Sequence, residues 1–177
     1  MFIAMRTLVY ATLFIGFLLI YLPARVLARS GIQRSALIGV PQIAGLIAAT
    51  LGAVIALACV ATFVRIGKGT PAPFDPPRRL VVRGPYRFVR NPMYTGAALA
   101  LAGVALFYQS LALLGYCALF LLVCCLFVVF YEEPTLRRSF GSEYEAYCRH
   151  VRRWWPDPAA LPKPDLPWFL VTAPPSP

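Results

Sequence analysis

The stretch NPMYTGAALALAGVALFYQSLALLGYCALFLLVCCLFVVFYEE, residues 91–133, decides the fold predicted for this chain. It contains two apolar runs, 93–108 and 111–130, which are separated only by the short polar turn YQS. Two apolar runs joined by so short a turn are typical of an antiparallel helical hairpin. The two open ends of the hairpin should then be neighbours, which places Asn91 close to Glu132.

Two further apolar runs precede the hairpin, at residues 7–22 and 39–64. The second run is uncharged, and at a rise of roughly 1.5 Å per residue a helix of this length can cross a hydrocarbon core of about 30 Å. A cleaved signal peptide is the alternative for the first run, because small residues follow it at suitable spacing. Arg25 and Arg29 fall inside that cleavage region and favour a retained helix instead.

The composition is typical of an integral membrane protein. Of the 177 residues, 59% are hydrophobic and 14% are charged, and the mean hydropathy is +0.68. A soluble domain of this size would expose too much apolar surface. We therefore predict an all-α integral membrane protein with about four transmembrane helices, in which a C-terminal helical hairpin is followed by a cytoplasmic interfacial helix.

We predict a single domain with three parts. Residues 1–66 hold two N-terminal transmembrane helices, residues 67–156 form a core of loop, transmembrane hairpin and interfacial helix, and residues 157–177 are a proline-rich tail. If the N-terminus is cytoplasmic, fourteen Lys and Arg residues lie on the cytoplasmic side and three on the other. This asymmetry follows the positive-inside rule and predicts a multi-pass protein with both termini in the cytoplasm.

The net charge of +10 raises the question of a nucleic-acid partner. The arginines flank apolar runs and no nucleic-acid-binding motif accompanies them, so we expect no such partner. They are better explained as topology signals and as contacts with the anionic headgroups of the bilayer.

The five cysteines show no disulfide or zinc spacing. Cys148 and His150 could be considered a metal-binding pair, but the chain has only this one histidine. We therefore expect no metal site.

The segment GPYRFVRNPMYTG, residues 84–96, places polar and aromatic groups at the start of the first hairpin helix. Asn91 followed by Pro92 predicts an N-cap and a first helical residue, and the free N–H groups of such a helix start suit a carboxylate or phosphate. Two arginines, two tyrosines and a glycine that permits close approach surround it: Arg87, Arg90, Tyr86, Tyr94 and Gly96. The alternative is an interfacial helix start with snorkelling arginines and no ligand.

Glu132 and Glu133 follow the second apolar run of the hairpin directly. Adjacent carboxylates at a membrane boundary repel each other and need cationic or hydroxyl partners. One interpretation is a polar end of the helix, paired with Arg137 or Arg138. The other is that a carboxylate holds the ribose hydroxyls or the ammonium group of a bound cofactor.

These two segments, read in order across the hairpin, resemble the superfamily of isoprenylcysteine carboxyl methyltransferases and phospholipid methyltransferases. The family pattern is G-P-Y, R-H-P-x-Y-x-G, a hairpin, E-E-x-x-L, F-G, Y-x-x-Y and V-x-R-x-x-P. The matching positions are Gly84, Pro85, Tyr86, Arg90, Pro92, Tyr94, Gly96, Glu132, Glu133, Leu136, Phe140, Gly141, Tyr144, Tyr147, Val151, Arg153 and Pro156.

The chain departs from this pattern at two important places. The family histidine before the proline is Asn91, which can cap the helix but cannot supply an imidazole. The arginine that the isoprenylcysteine enzymes carry one turn before the glutamate pair is absent from 127–131. A carboxylate acceptor would use such an arginine, so its absence disfavours carboxyl methylation.

The resemblance implies methyl transfer from S-adenosylmethionine to a lipophilic, membrane-embedded acceptor: a lipid amine, a thiol or an isoprenylcysteine-like carboxylate. It implies that residues 67–156 are a cofactor-binding catalytic core, with catalytic roles for Tyr94, Glu133 and Arg153. The implied cofactor-binding residues are Tyr86, Arg87, Arg90, Asn91, Pro92, Tyr94, Gly96, Glu132, Glu133 and Tyr147.

More specific roles follow for some of these residues. The carboxylates would hold the ribose or the amino group, and the helix start with Arg90 and Asn91 would hold the methionine carboxylate. Tyr147 and Arg153 would close the site. Two alternatives stay open: an NADPH-dependent enzyme similar to sterol reductases, and a non-enzymatic membrane protein that binds anionic lipid.

Overall fold

The computed structural model describes residues 16–31, 38–62 and 80–156. Every regular element within these ranges is a helix, which confirms the all-α prediction for this part of the chain. The predicted proline-rich tail, the first residues of the chain and most of the loop before Tyr86 lie outside the described residues.

Five α-helices are described. A π-helical segment, Gly16–Tyr21, runs directly into α1, Leu22–Arg29. The remaining helices are α2 (Val40–Thr62), α3 (Pro92–Phe107), α4 (Leu111–Phe127) and α5 (Glu133–His150), with a short 3₁₀ helix at Gly84–Arg87 and a π-helical segment at Val128–Glu132.

Two of these elements are long and apolar enough to cross a membrane. They are α2, with 23 residues, and the apolar part of the helical run Leu111–His150. The helix α3 is apolar but has only 16 residues. The expected count of about four spanning helices and the cytoplasmic position of both termini stay predictions.

Four glycines hold α2 and α3 together in an antiparallel pair. We call this contact the seam; it contains Gly45, Gly52, Gly96 and Gly103. A Cβ atom added to Gly103 would lie 2.6 Å from the carbonyl oxygen of Gly45, and one added to Gly96 would lie 2.9 Å from that of Gly52. Since real Cβ atoms do not approach a backbone so closely, only glycine lets the two helices meet at this distance.

The turn between α3 and α4 is built from local hydrogen bonds. Gln109 has φ of +49°, and the Ser110 hydroxyl accepts a hydrogen bond from the N–H of Leu113 at 3.3 Å. Ser110 is thus the N-cap of α4. The two helices pack through a buried cluster made of Ala97, Ala98, Leu101, Cys117, Phe120 and Cys124.

The helix that follows this turn does not stop at the glutamate pair. One interpretation of the glutamate pair was a polar end of the helix, but the backbone stays helical through Val128–Glu132 and into α5, which has Pro134 in its first turn. A π-helical turn accommodates one extra residue, so the proline is absorbed without a break. The backbone bends later, at Gly141, where φ is +49° and ψ is −122°.

Beyond this bend, α5 returns to the loop that precedes α3. Tyr144, Tyr147 and Val151 form a buried cluster, and Leu80 and Val82 pack against it. This packing brings the end of α5 to the start of α3.

Candidate functional site

Three segments meet where α3 begins and the apolar part of α4 ends. We call this region the mouth; it consists of residues 86–94, residues 132–133 and residues 147–153. Hydrogen bonds or ion pairs link each of these segments to the others. The first two segments were expected to meet from the hairpin alone, whereas the third reaches the mouth only because α5 bends.

Asn91 occupies the N-cap position of α3, as predicted, but its side chain does not cap the helix. Its Nδ2 atom instead donates a hydrogen bond to the carbonyl oxygen of Arg153 at 3.3 Å. The expectation of a side-chain cap was therefore wrong, because a contact from a distant segment competes for the same amide. The first-turn N–H groups of α3 receive no side-chain cap from the described residues.

The backbone on either side of Asn91 is also tied to the C-terminal segment. The N–H of Arg90 donates to the carbonyl oxygen of Arg152 at 2.9 Å, and the N–H of Asn91 donates to that of Arg153 at 3.3 Å. Residues 151–153 therefore lie across the start of α3; we call them the strap.

Glu133 is buried, with 6% of its surface exposed, and both of its carboxylate oxygens have partners. Arg153 contacts it with two nitrogens, Nε to Oε1 at 2.7 Å and Nη2 to Oε2 at 2.9 Å. Arg90 Nη1 lies 3.2 Å from Oε1. Two-pronged pairing of this kind fixes geometry as well as charge.

The hydrogen bond to Glu133 also raises the pKa of Arg153 above its usual value. Arg153 is therefore charged at neutral pH.

The cations that we considered for the glutamate pair were the wrong ones. Arg137 pairs with Glu145 on the outer surface of α5, at 2.7 Å, instead of with Glu132 or Glu133. The cations that contact Glu133 are Arg90 and Arg153, which come from two other segments.

Glu132 has a different environment from its neighbour. Its Oε2 atom accepts a hydrogen bond from the hydroxyl of Tyr94 at 3.1 Å. Among the described residues this is its one hydrogen bond, and no cation contacts it. The mouth therefore contains one carboxylate that is neutralised by arginines and one that is not.

Tyr147 and Tyr86 stabilise the wall of the mouth. The hydroxyl of Tyr147 donates to the backbone carbonyl oxygen of Tyr86 at 2.7 Å, and both side chains are buried. Burial, followed by the nearby charges of Cys59 and Glu132, raises the pKa of Tyr86 well above its usual value. Tyr86 therefore stays a neutral phenol and cannot act as a base at neutral pH.

Arg90 contacts more groups than any sequence argument predicted. Besides Glu133, its Nη1 atom lies 2.7 Å from the sulfur of Cys148. Its Nε atom is buried and has no hydrogen-bond partner among the described residues. A buried donor without a partner is costly, so it requires an explanation such as a catalytic role or a bound ion or water.

The remaining predicted site residues are placed as follows. Arg87 lies beside the mouth on the 3₁₀ helix, partly buried. Pro92 is the first residue of α3, as expected. Gly96 lies in the seam, and the approach of the α2 backbone is sufficient by itself to require a glycine there.

Cys148 and the carbonyl groups of Arg152 and Arg153 were not among the predicted site residues. No side-chain pattern marks a backbone carbonyl, so the last two contacts have no signal in the sequence. Gly141 comes closest to a sequence signal for these contacts, because a glycine inside an otherwise helical stretch is typical of a bend. Among the described residues, no group of three or more His, Cys, Asp and Glu side chains could hold a metal ion.

A model of the phospholipid methyltransferase family matches residues 40–143, which is more than half of the chain. The match extends from α2 to just beyond the bend in α5 and supports the resemblance seen in the sequence. No curated protein and no solved structure gives a significant match.

Proposed function

Because this chain belongs to the phospholipid methyltransferase family, we propose that it transfers a methyl group from S-adenosylmethionine to a lipophilic acceptor within the membrane. Membership of the family already makes it a membrane methyltransferase in general terms. The cofactor, the acceptor and the roles of individual residues are the content of the proposal.

One observation supports this proposal above the others: the mouth has unused hydrogen-bonding capacity for both charges of an amino acid. The uncapped start of α3 and the buried Nε of Arg90 would bind a carboxylate. The free oxygen of Glu132 would accept from an ammonium or a ribose hydroxyl. S-Adenosylmethionine carries all three groups, so the residues present fit it.

When bound, S-adenosylmethionine supplies a methyl group that is already activated by a sulfonium centre. The protein then mainly needs to hold the reacting groups in line and exclude water. Tyr94 and Tyr86 would flank the cofactor, and Tyr147 would hold the Tyr86 backbone in place. In this proposal Glu133 and Arg153 act through the ion pair that they form with each other.

An amine acceptor fits the mouth better than a carboxylate acceptor. Arg153 is paired with Glu133. Arg90 also contacts Glu133, and its remaining Nε is the group proposed to bind the carboxylate of the cofactor. Neither arginine is then left as the counter-ion of an acceptor carboxylate. A lipid amine is protonated at neutral pH and must lose that proton before its nitrogen can form a bond to the methyl carbon. Glu132, which no described cation contacts, would take the proton directly or through water.

The test begins with ligand binding to the purified protein in detergent. We expect S-adenosylmethionine and S-adenosylhomocysteine to bind with measurable heat, and S-adenosylhomocysteine at about 100 times its Kd to stabilise the fold by about 2.7 kcal/mol. Binding of NADPH alone would instead indicate the reductase-like alternative. Binding of none of the three, together with retention on anionic vesicles, would indicate a lipid-binding protein without enzymatic activity.

The acceptor is then identified by transfer of a labelled methyl group into a total lipid extract. We expect the label to enter an amine-containing lipid as an acid-stable and base-stable N-methyl group. Label that is released as methanol by mild base would reveal a methyl ester and contradict the choice of an amine.

A further inference from the structure

Glu132 and Glu133 are neighbours in sequence but have different surroundings. Glu133 is buried and contacts two arginines, whereas Glu132 contacts only the hydroxyl of Tyr94 among the described residues. Successive residues of a helix point about 100° apart, so the two carboxylates face different sides of the mouth. They therefore differ in what they are free to bind.

The ion pair of Glu133 joins segments that also share backbone hydrogen bonds. Arg153 supplies both nitrogens of the two-pronged contact, and its carbonyl oxygen accepts from the N–H and the Nδ2 of Asn91. The carbonyl oxygen of Arg152 accepts from the N–H of Arg90, whose guanidinium reaches Glu133. Glu133 thus lies at the centre of a closed set of contacts between the strap and the start of α3.

We propose that Glu133 is a positioning residue, which holds the strap across the start of α3 through Arg153, and that Glu132 is the carboxylate of the pair that faces the ligand. The first half of this inference stands on the contacts described above. The second half rests on the proposed function and deepens it by dividing the glutamate pair.

The chemistry of the two arginines supports this division. A bidentate contact leaves the Glu133 carboxylate with little capacity for further hydrogen bonds, since Arg90 takes the remaining side of Oε1. If the bonded oxygens of Glu133 turned to a ligand instead, this buried carboxylate would lose contacts with arginine. Glu132 can bind a ligand without losing a charged partner.

The first experiment measures amide hydrogen exchange by mass spectrometry on a peptide that covers residues 88–91. In the wild type, the N–H groups of Arg90 and Asn91 are bonded to the strap. Glu133→Gln and Arg153→Gln should each raise the exchange rate of these amides by about ten-fold or more. The double variant should exchange no faster than either single variant, because both changes break the same contact.

Arg153→Lys keeps the positive charge but loses the two-pronged geometry. If Glu133→Gln does not fold, this variant still tests whether the contact between Arg153 and Glu133 holds the strap. It should raise the same exchange rates by a smaller factor than Arg153→Gln. Arg137→Gln is the matched control, because it breaks an exposed ion pair on the same helix, with Arg137 and Glu145 side chains 51% and 45% exposed. Exchange in the control should equal that of the wild type.

The second experiment measures the Kd of S-adenosylhomocysteine for the same four proteins, the wild type and the variants Glu133→Gln, Arg153→Gln and the double variant. If Glu133 acts through the strap, each single variant weakens binding by a similar factor, about ten-fold, and the double variant is no weaker. If Glu133 touches the ligand itself, Glu133→Gln weakens binding and Arg153→Gln does not, which would overturn the division of the pair.

The two experiments separate the inference from the function on which it partly rests. Unchanged exchange at residues 88–91 in both single variants would overturn the role of Glu133, whatever the ligand. Failure of the wild type to bind S-adenosylhomocysteine would contradict the proposed function and the assignment of Glu132, while the exchange result would still decide whether Glu133 holds the strap.

Discussion

Two of the contacts of helix α3 are of opposite kinds, the seam along one face and the mouth at its first residue. The seam contains no charged group, and its four glycines allow backbone to lie on backbone. At the mouth, the buried carboxylate of Glu133 contacts Arg90 and Arg153, and the hydroxyl groups of Tyr94 and Tyr147 make hydrogen bonds beside it. One contact is defined by the absence of side chains and the other by their presence.

The difference separates scaffold from chemistry. In the seam no space is left, so its geometry is fixed by steric exclusion alone. In the mouth hydrogen-bonding capacity is left over, at Glu132, at the Nε of Arg90 and at the start of α3. A rigid contact beside an incompletely satisfied polar site is the arrangement expected where a protein must hold a ligand in register.

The largest effect is expected from filling the seam. Gly103→Leu should lower the free energy of unfolding by about 3 kcal/mol or more, because the new side chain overlaps the α2 backbone at Gly45. Thermal unfolding in detergent measures this. Gly115→Leu is the control, since Gly115 is exposed on α4 and has nothing within 4 Å of an added Cβ atom. Equal unfolding midpoints for the two variants would show that the seam does not hold the helices together.

The next effect is expected from removing the charge at the mouth. Glu132→Gln keeps the shape of the side chain but cannot accept a proton, so we expect kcat/KM for methyl transfer to fall about 100-fold with little change in thermal stability. Tyr94→Phe leaves the carboxylate in place and should cost less activity. Wild-type activity in Glu132→Gln would show that the carboxylate of Glu132 takes no part in methyl transfer, so that the mouth, like the seam, would have only a structural role.

A smaller effect is expected at the wall of the mouth. Tyr147→Phe removes the hydrogen bond to the Tyr86 carbonyl group and leaves that group buried without its donor. The free energy of unfolding should fall by about 2 kcal/mol, measured as a lower midpoint of thermal unfolding. Tyr108→Phe, at the turn between α3 and α4, serves as the control and should leave the midpoint unchanged.

The smallest effect is expected at a glycine that lies in neither region. Gly141 has positive φ and nothing within 4 Å of an added Cβ atom, so its requirement for glycine is conformational and not steric. Gly141→Ala should lower the free energy of unfolding by about 1 kcal/mol. Gly115→Ala, in the regular helix α4, should be neutral or slightly stabilising. A cost at Gly141 as large as that of Gly103→Leu would contradict this distinction.

Local rules were sufficient to predict one side of the mouth. The YQS turn joins two apolar runs, and hairpin geometry alone brings Tyr94 to Glu132, which the structure shows at 3.1 Å. The position of Pro92 as the first residue of α3 follows from its missing N–H and its fixed φ. These features depend on residues that are close in sequence or are related by a single turn.

The other side of the mouth depends on tertiary structure. Arg153 reaches Glu133 because α5 bends at Gly141, and neither the direction nor the size of that bend can be read from one glycine. The side chain of Asn91 would cap α3 by local preference, but the strap offers it a carbonyl group instead. In both cases a contact between distant segments overrides a local rule.

The seam was only half predictable. The small residues in 96–103 indicate close packing, and on sequence grounds a neighbouring helix is at least as good a partner for them as an acyl chain. The partner is α2, and its own glycines at 45 and 52 match those of α3. The matching glycines on two separate runs predict a contact between the helices only once the runs are known to be antiparallel neighbours.

The seam also fixes the number of residues that separate the two glycines of each helix. Gly45 and Gly52 are seven residues apart, as are Gly96 and Gly103, and seven residues make nearly two full helical turns. Deleting one residue between either pair would rotate its two glycines by about 100° relative to each other, so that only one could face the partner helix. A single deletion or insertion between the two glycines of either helix therefore changes which residues face the partner helix beyond that point. No substitution elsewhere in the helix can correct this change.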